Sequence, residues 1–204
     1  REESRIPLYV RSCGRFVDAI FIDGVSDDEI IEAQTAWSSC VRILRKKLEA
    51  AEIPQDRWPE HWNWDWRYKA VLALVEGGQL LGVSFANRIE GLMMAKAGRK
   101  SKLDPSKRLV HIEYLCTAPW NLDFDGVQQG RFKQIGRIML AAAVQLSKET
   151  LLGGRVGLHA LPQSVRWYQD RGMVEVPEAA IAKLRYFELT PEAANDFIQE
   201  NQIQ

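Results

Sequence analysis

Side chains that could move protons or hold anions concentrate in two stretches of this 204-residue chain. In the first, Val110 to Thr117 reads as a strand, and side-chain alternation puts His111, Glu113, Leu115 and Thr117 on one face. Either His111 or Glu113 could take a proton from a nucleophile, directly or through a water. Glu113 is favoured for its place nearer the strand end; a salt bridge to a basic loop residue is its other reading. His159, at the end of a neighbouring strand, is a third candidate base. In the second stretch Tyr168 carries a phenol with an ordinary pKa of about 10, protonated at neutral pH and able to donate. Between the two, Gly130 to Arg137 reads as a helix start with Arg131, Lys133 and Arg137 around it. The unpaired N–H groups and partial positive charge of such a start suit a pyrophosphate, although a charged surface helix has the same spacing. Cys116, inside an apolar strand, is a poor nucleophile.

The elements that must position these residues are legible from pattern. Phe16 to Ile22 is an apolar strand-like run, and Ser26 and Glu29 then have capping-box spacing. Ile30, Ala33, Trp37, Val41 and Leu44 recur at helical steps, so a helix with one buried face runs to about Ala51. Residues Pro54 to Tyr68 hold four of the seven tryptophans. They read as a loop or short helix stapled to the core, or as an aromatic wall for a substrate, with Trp64 and Trp66 as its candidates. Ala70 to Val75 and Leu80 to Phe85 flank Gly77-Gly78 and predict a hairpin. Lys96 to Arg108 is basic and rich in breakers, a solvated and mobile loop that could steer a phosphate-bearing ligand. Ile135 to Lys148 is a helix, Arg155 to His159 a strand, Ser164 to Asp170 a short helix, Tyr186 to Leu189 a strand, and Thr190-Pro191 opens a last helix. The sum is a mixed α/β single domain.

Composition narrows the function classes. Lys plus Arg and Asp plus Glu both number 27, so the chain lacks the positive field of a non-specific nucleic-acid binder. The three cysteines form no CxxC pair, which indicates neither a disulfide framework nor a cysteine zinc site and favours a reducing cytoplasm. No apolar run approaches the roughly 20 residues that span a bilayer, so no membrane is expected.

From Val110 to Met173 the chain resembles the core of the GNAT superfamily of acyl-coenzyme A dependent N-acetyltransferases. Tyr114-Leu-Cys-Thr117-Ala-Pro119 is similar to that family's strand end, Arg131-Phe-Lys-Gln134-Ile-Gly136 to its phosphate-loop pattern, and Trp167-Tyr168-Gln-Asp-Arg-Gly172-Met173 to its third motif. The resemblance implies a mostly antiparallel sheet flanked by helices, with a splayed parallel strand pair at the coenzyme site, over residues 1–204. It implies acetyl-CoA as cosubstrate, with no metal. Leu115, Cys116 and Thr117 would line the thioester, and Arg131, Lys133, Gln134, Ile135, Gly136 and Arg137 would hold the pyrophosphate. Tyr168 would protonate the departing thiolate, and the loop after the first helix, with Trp64 and Trp66, would shape the acceptor side.

Three positions depart from the family pattern. Gln134 stands where glycine is usual, Leu161 where an asparagine is usual, and the connection from Ala118 to Gly130 is long. A helical backbone at Gln134 would not demand glycine, so weaker or reshaped rather than absent coenzyme binding is expected. Presenting a lysine-like amine neutral at pH 7 costs about 4.6 kcal/mol, which is why a positioned base matters. The implied reaction is direct acetyl transfer to a small-molecule or protein amine in a ternary complex. A non-catalytic GNAT-fold interaction module and an aminoacyl-tRNA-acetylating enzyme of the toxin type are the alternatives, and a homodimer is left open.

Overall fold

The computed structural model describes residues 1–202, which form two compact units. One comprises Arg1–Met94 and Leu115–Met139; the other comprises Ala95–Tyr114 and the chain from Leu140 on. Among the described residues no helix is long and apolar enough to cross a membrane.

In the first unit, strands β1 (Glu2–Val10) and β2 (Arg15–Asp23) pair antiparallel from Glu2↔Asp23 to Val10↔Arg15. Helix α1 (Asp27–Ala50) begins as its sequence dictates. The Ser26 hydroxyl accepts from Glu29 N, and the Glu29 carboxylate accepts from Ser26 N at 2.9 Å. Its inward stripe is Ile30, Ala33, Trp37, Val41, Leu44 and Leu48, the predicted face with one further turn.

The run from Ala70 to Val75 is not a strand, which corrects the hairpin expected there. Helix α2 (Trp66–Glu76) occupies it, capped at its start by the Asp65 side chain and ended by Gly77 at φ +69°. Both stop signals lie outside the apolar run, and only Trp66, Lys69 and Ala73 are buried, at helical spacing. The true hairpin joins β3 (Gln79–Phe85) to β4 (Arg88–Lys100) through Ala86 and Asn87. Both turn residues are left-handed, at φ +49° and +59°, as a two-residue turn between twisted strands requires.

Strand β4 also takes the first part of the expected basic loop, since Lys96–Lys100 finish the strand and Arg108 opens β5 (Arg108–Thr117). Only 101–107 remain outside the strands, and hydrogen bonds cross them. Ser101 N donates to Lys107 O at 3.0 Å, and Ser106 N to the Asp104 carboxylate at 3.0 Å.

After β5 come the two-residue strand β6 (Phe132–Lys133), antiparallel to β1, and helix α3 (Ile135–Glu149). Then follow β7 (Val156–Ala160), α4 (Val165–Gln169), β8 (Val174–Glu175), β9 (Arg185–Leu189) and α5 (Pro191–Gln202). Strand order in the first unit is β6-β1-β2-β3-β4-β5, and in the second β5-β7-β9-β8. The β5–β7 pair is parallel, and its register covers only Val110↔Val156 to Ile112↔Leu158. The sheet is thus mixed and mostly antiparallel with flanking helices, as expected, and the parallel partners stop pairing at Ile112.

Candidate active site

In the first unit the end of β5 and the start of α3 meet at β4. A Cβ on Gly91 would stand 2.5 Å from an Ile135 methyl and 3.4 Å from Cys116 O, so only glycine lets the helix start approach the strands this closely. Cys116 is buried and burial pushes its thiol up to about 12, which removes it as a nucleophile at neutral pH. Leu115 and Thr117 beside it are half-buried.

The backbone before α3 differs from the expectation. Gln134 sits at φ +74°, the left-handed region, and not in a helical conformation. A glycine takes that φ freely, whereas a side chain makes it cost about 1 kcal/mol, so Gln134 is strained where a helical backbone was expected. Gln134 O accepts from Ile138 N at 2.9 Å, which closes the first turn. By helix geometry, the N–H groups of Ile135 and Gly136 then have no intrahelical acceptor. Lys133 lies over the Tyr9 ring at 5.7 Å, and the Arg131 guanidinium over Phe132 at 4.7 Å.

One residue that sequence reasoning passed over organises this region. Glu90 is completely buried, and its Oε2 accepts from Trp120 Nε1 at 2.5 Å and from Asn121 Nδ2 at 2.8 Å. Asn121 Oδ1 accepts in turn from Phe132 N at 3.2 Å. The other Glu90 oxygen has no hydrogen-bond partner and faces Arg131 Nη1 at 3.8 Å. The only sequence signal was a lone carboxylate in the apolar run Ile89 to Ala95. The long connection before α3 is folded upon itself: Gln128 Nε2 donates to Pro119 O and Leu122 O, and Asp123 accepts from Gly130 N.

The tryptophan-rich segment forms two short 3₁₀ turns before α2. Trp66 is buried, with its ring edge-on to Trp37 at 6.4 Å and to Trp64 at 6.3 Å. Trp64 is half-buried and receives the Lys69 ammonium over its face at 4.8 Å, where desolvation brings that ammonium down to about 8. The space between Trp64, Trp66, His61 and Thr117 is only about 20 Å³, room for about one water. A larger cavity of about 420 Å³ opens on the other side of Trp37, toward β2 and the β3–β4 turn.

The second unit holds the titratable residues. Tyr168 is buried on α4, edge-on to Trp167 at 5.0 Å and stacked on Phe187 at 6.4 Å, and burial raises its phenol further above its ordinary value. Gly172 at φ +73° turns the chain so that Met173 N reaches Tyr168 O at 3.3 Å.

Glu113 accepts from Arg99 Nη2 at 3.0 Å and faces His111 Nδ1 at 3.4 Å. That last distance is long for a hydrogen bond, and the attraction is that of an ion pair when the imidazole is protonated. His111 first and Arg99 after it hold the Glu113 carboxyl at about 2, against the opposing pull of burial.

His159 Nε2–H donates to Ala179 O at 3.1 Å, and burial lowers the pKa of that ring. The Tyr186 ring lies parallel to His111 at 6.0 Å and tilted to His159 at 4.8 Å. Its hydroxyl donates to the buried Glu188 at 3.0 Å, which also accepts from Ser101 Oγ at 2.5 Å. Burial thus favours the neutral form of His159, Glu113 stays ionised, and the Tyr168 phenol stays protonated.

The fold is that of the GNAT acetyltransferases. A protein from Desulfovibrio desulfuricans described as an acetyltransferase of the GNAT family matches with 13% identity and a TM-score of 0.50, over 85% of this chain and 99% of its own. The PaiA N-acetyltransferase of Thermoplasma acidophilum, solved with coenzyme A, matches with 14% identity and a TM-score of 0.50, over 84% of this chain and 98% of its own. An uncharacterized protein from Bacillus halodurans matches with 9% identity and a TM-score of 0.54, over 98% of this chain and 97% of its own. No family model and no curated protein sequence matches the chain.

Proposed function

We propose that the protein is an acetyl-CoA-dependent N-acetyltransferase acting by direct transfer to an amine. The observation that carries this reading is the start of α3, brought against the β5 end by Gly91 and following the motif Arg131 to Gly136. The N–H groups of Ile135 and Gly136 would take the pyrophosphate, with Gln134 turning the chain into them and Arg131, Lys133 and Arg137 adding positive charge. Leu115, Cys116 and Thr117 would offer backbone groups to the pantetheine arm.

In the reaction the amine nitrogen bonds to the thioester carbonyl carbon and the C–S bond breaks. The nitrogen's proton leaves to a base, and the thiolate takes the Tyr168 proton. His111 is the better base of the two on β5. A carboxyl held at about 2 has little affinity for a proton, and Glu113 instead stabilises the imidazolium that forms.

Thermal unfolding with coenzyme A followed by acetyl-CoA turnover against an amine panel tests the reading. Stabilisation that grows with ligand concentration and thiol release that needs an amine are expected. No shift at millimolar coenzyme would contradict it. The second reading, a GNAT-fold module that binds without turnover, draws on the strained Gln134 and on Leu161. It predicts coenzyme-independent stability and no thiol release.

A further inference from the structure

The cavity of about 420 Å³ in the first unit has the size of a small-molecule site, and its walls carry two kinds of charge. Three carboxylates face it, Glu3, Glu29 and Glu32. Glu3 and Glu29 are both committed to the Arg1 guanidinium at 2.7 Å, and Glu29 also closes the α1 capping box. The Glu32 side chain has no hydrogen bond or ion pair among the described residues, so its charge faces the cavity without a cation of its own.

Arg88 also lines the cavity, and its guanidinium lies over the Trp120 ring at 4.2 Å. Trp120 cannot swing away, because its indole N–H is held by the buried Glu90 at 2.5 Å. Stacking therefore fixes the plane of Arg88 while leaving its N–H edge without a carboxylate among the described residues. The lining also has apolar side chains, with Ile20, Ala36 and Trp37.

We propose that this cavity binds a zwitterion of the amino-acid class: its ammonium against Glu32, its carboxylate on the N–H edge of Arg88, and an apolar side chain against Trp37 and Ile20. A fixed guanidinium edge suits a planar carboxylate better than a point charge would. The inference deepens the acetyl-transfer reading and rests on it only in taking this ligand as the acceptor, whose amine must shed a proton before transfer. It also moves the acceptor away from Trp64 and Trp66, where the space is a single water's.

The test is calorimetric titration of the full chain, without coenzyme, using L-phenylalanine, phenethylamine, which lacks the carboxylate, and 3-phenylpropionate, which lacks the amine. L-Phenylalanine should bind saturably and each single-charge analogue about tenfold more weakly, since each gives up one charge-assisted contact. Glu32→Gln should erase the preference over 3-phenylpropionate and keep that over phenethylamine; Arg88→Gln should do the reverse. Both residues are surface charges, and unchanged circular dichroism would show that the variants fold.

No saturable binding of L-phenylalanine, equal affinity for an analogue, or a preference unmoved by either substitution overturns the proposal. Saturable binding with the expected preferences but no acetyl-CoA consumption would overturn the acetyl-transfer reading and leave the site. Acetylation of other amines with no zwitterion binding would overturn the site and leave the reading.

Discussion

Glu90 in the first unit and Glu113 in the second are both carboxylates on strands, and their surroundings give them opposite uses. Glu90 is wholly buried and satisfied on one oxygen by two neutral donors, Trp120 and Asn121, with Arg131 only at 3.8 Å. Glu113 is half-buried between an imidazole and a guanidinium that hold it ionised. The first is a joint that ties β4 to the segment entering α3; the second is a carboxylate held ionised beside His111 and Arg99. Neither is well placed to be a base, and in the proposed reaction that role falls to His111 and proton donation to Tyr168.

The largest effect expected from breaking this comparison is on the donor. Tyr168→Phe keeps the ring against Trp167 and Phe187 and removes the proton, so kcat should fall about 10²- to 10⁴-fold with coenzyme affinity nearly unchanged. A variant with near wild-type kcat would show that the thiolate leaves without this phenol.

Next comes the joint. Glu90→Ala leaves the Trp120 and Asn121 donors without their acceptor and should cost about 2 kcal/mol or more in urea unfolding, with weakened coenzyme binding through Arg131 and Phe132. Loss of stability with intact coenzyme affinity would confine Glu90 to packing. A smaller gain is expected from Gln134→Gly, which releases the +74° strain: about 1 kcal/mol of stability or less, partly offset by the freer unfolded chain, and tighter coenzyme binding.

The smallest effect is electrostatic and has a definite sign. The Glu113 pKa is lowered on folding from 4.5 to about 2, so its contribution is present above the unfolded value and is lost as pH falls through that window. Glu113→Gln should therefore lower stability above about pH 4.5 and leave it less changed near pH 2, which flattens the acid limb between these values. An acid limb identical to wild type would contradict the pairing.

Parts of this were legible in sequence because the deciding residues are local. Ser26 and Glu29 announce α1, and the three motifs in order announce β5, α3 and α4. The strand read at Ala70 to Val75 failed because an apolar run of that length has no period of its own, and Asp65 and Gly77, which decide it, lie beyond its ends. Strand β1 escaped notice because most of it is exposed and Pro7 interrupts it; the strand tolerates Pro7 because β6 covers β1 only at Tyr9 and Val10. Glu90 was invisible because its meaning depends on Trp120 and Asn121, some thirty residues away. The left-handed φ of Gln134 had a local signal in the glycine usual at that position, which the expectation of a helical backbone missed.

The central claim is that the coenzyme pyrophosphate sits on the start of α3. Amide hydrogen exchange of the full chain, with and without coenzyme A, tests it most directly, because the amides that would hold the anion report their own protection. The account predicts slowed exchange across 131–138 and 115–118 on binding, with Tyr168→Phe behaving as wild type. Binding that leaves those amides unchanged, or protection confined to another segment, would contradict it.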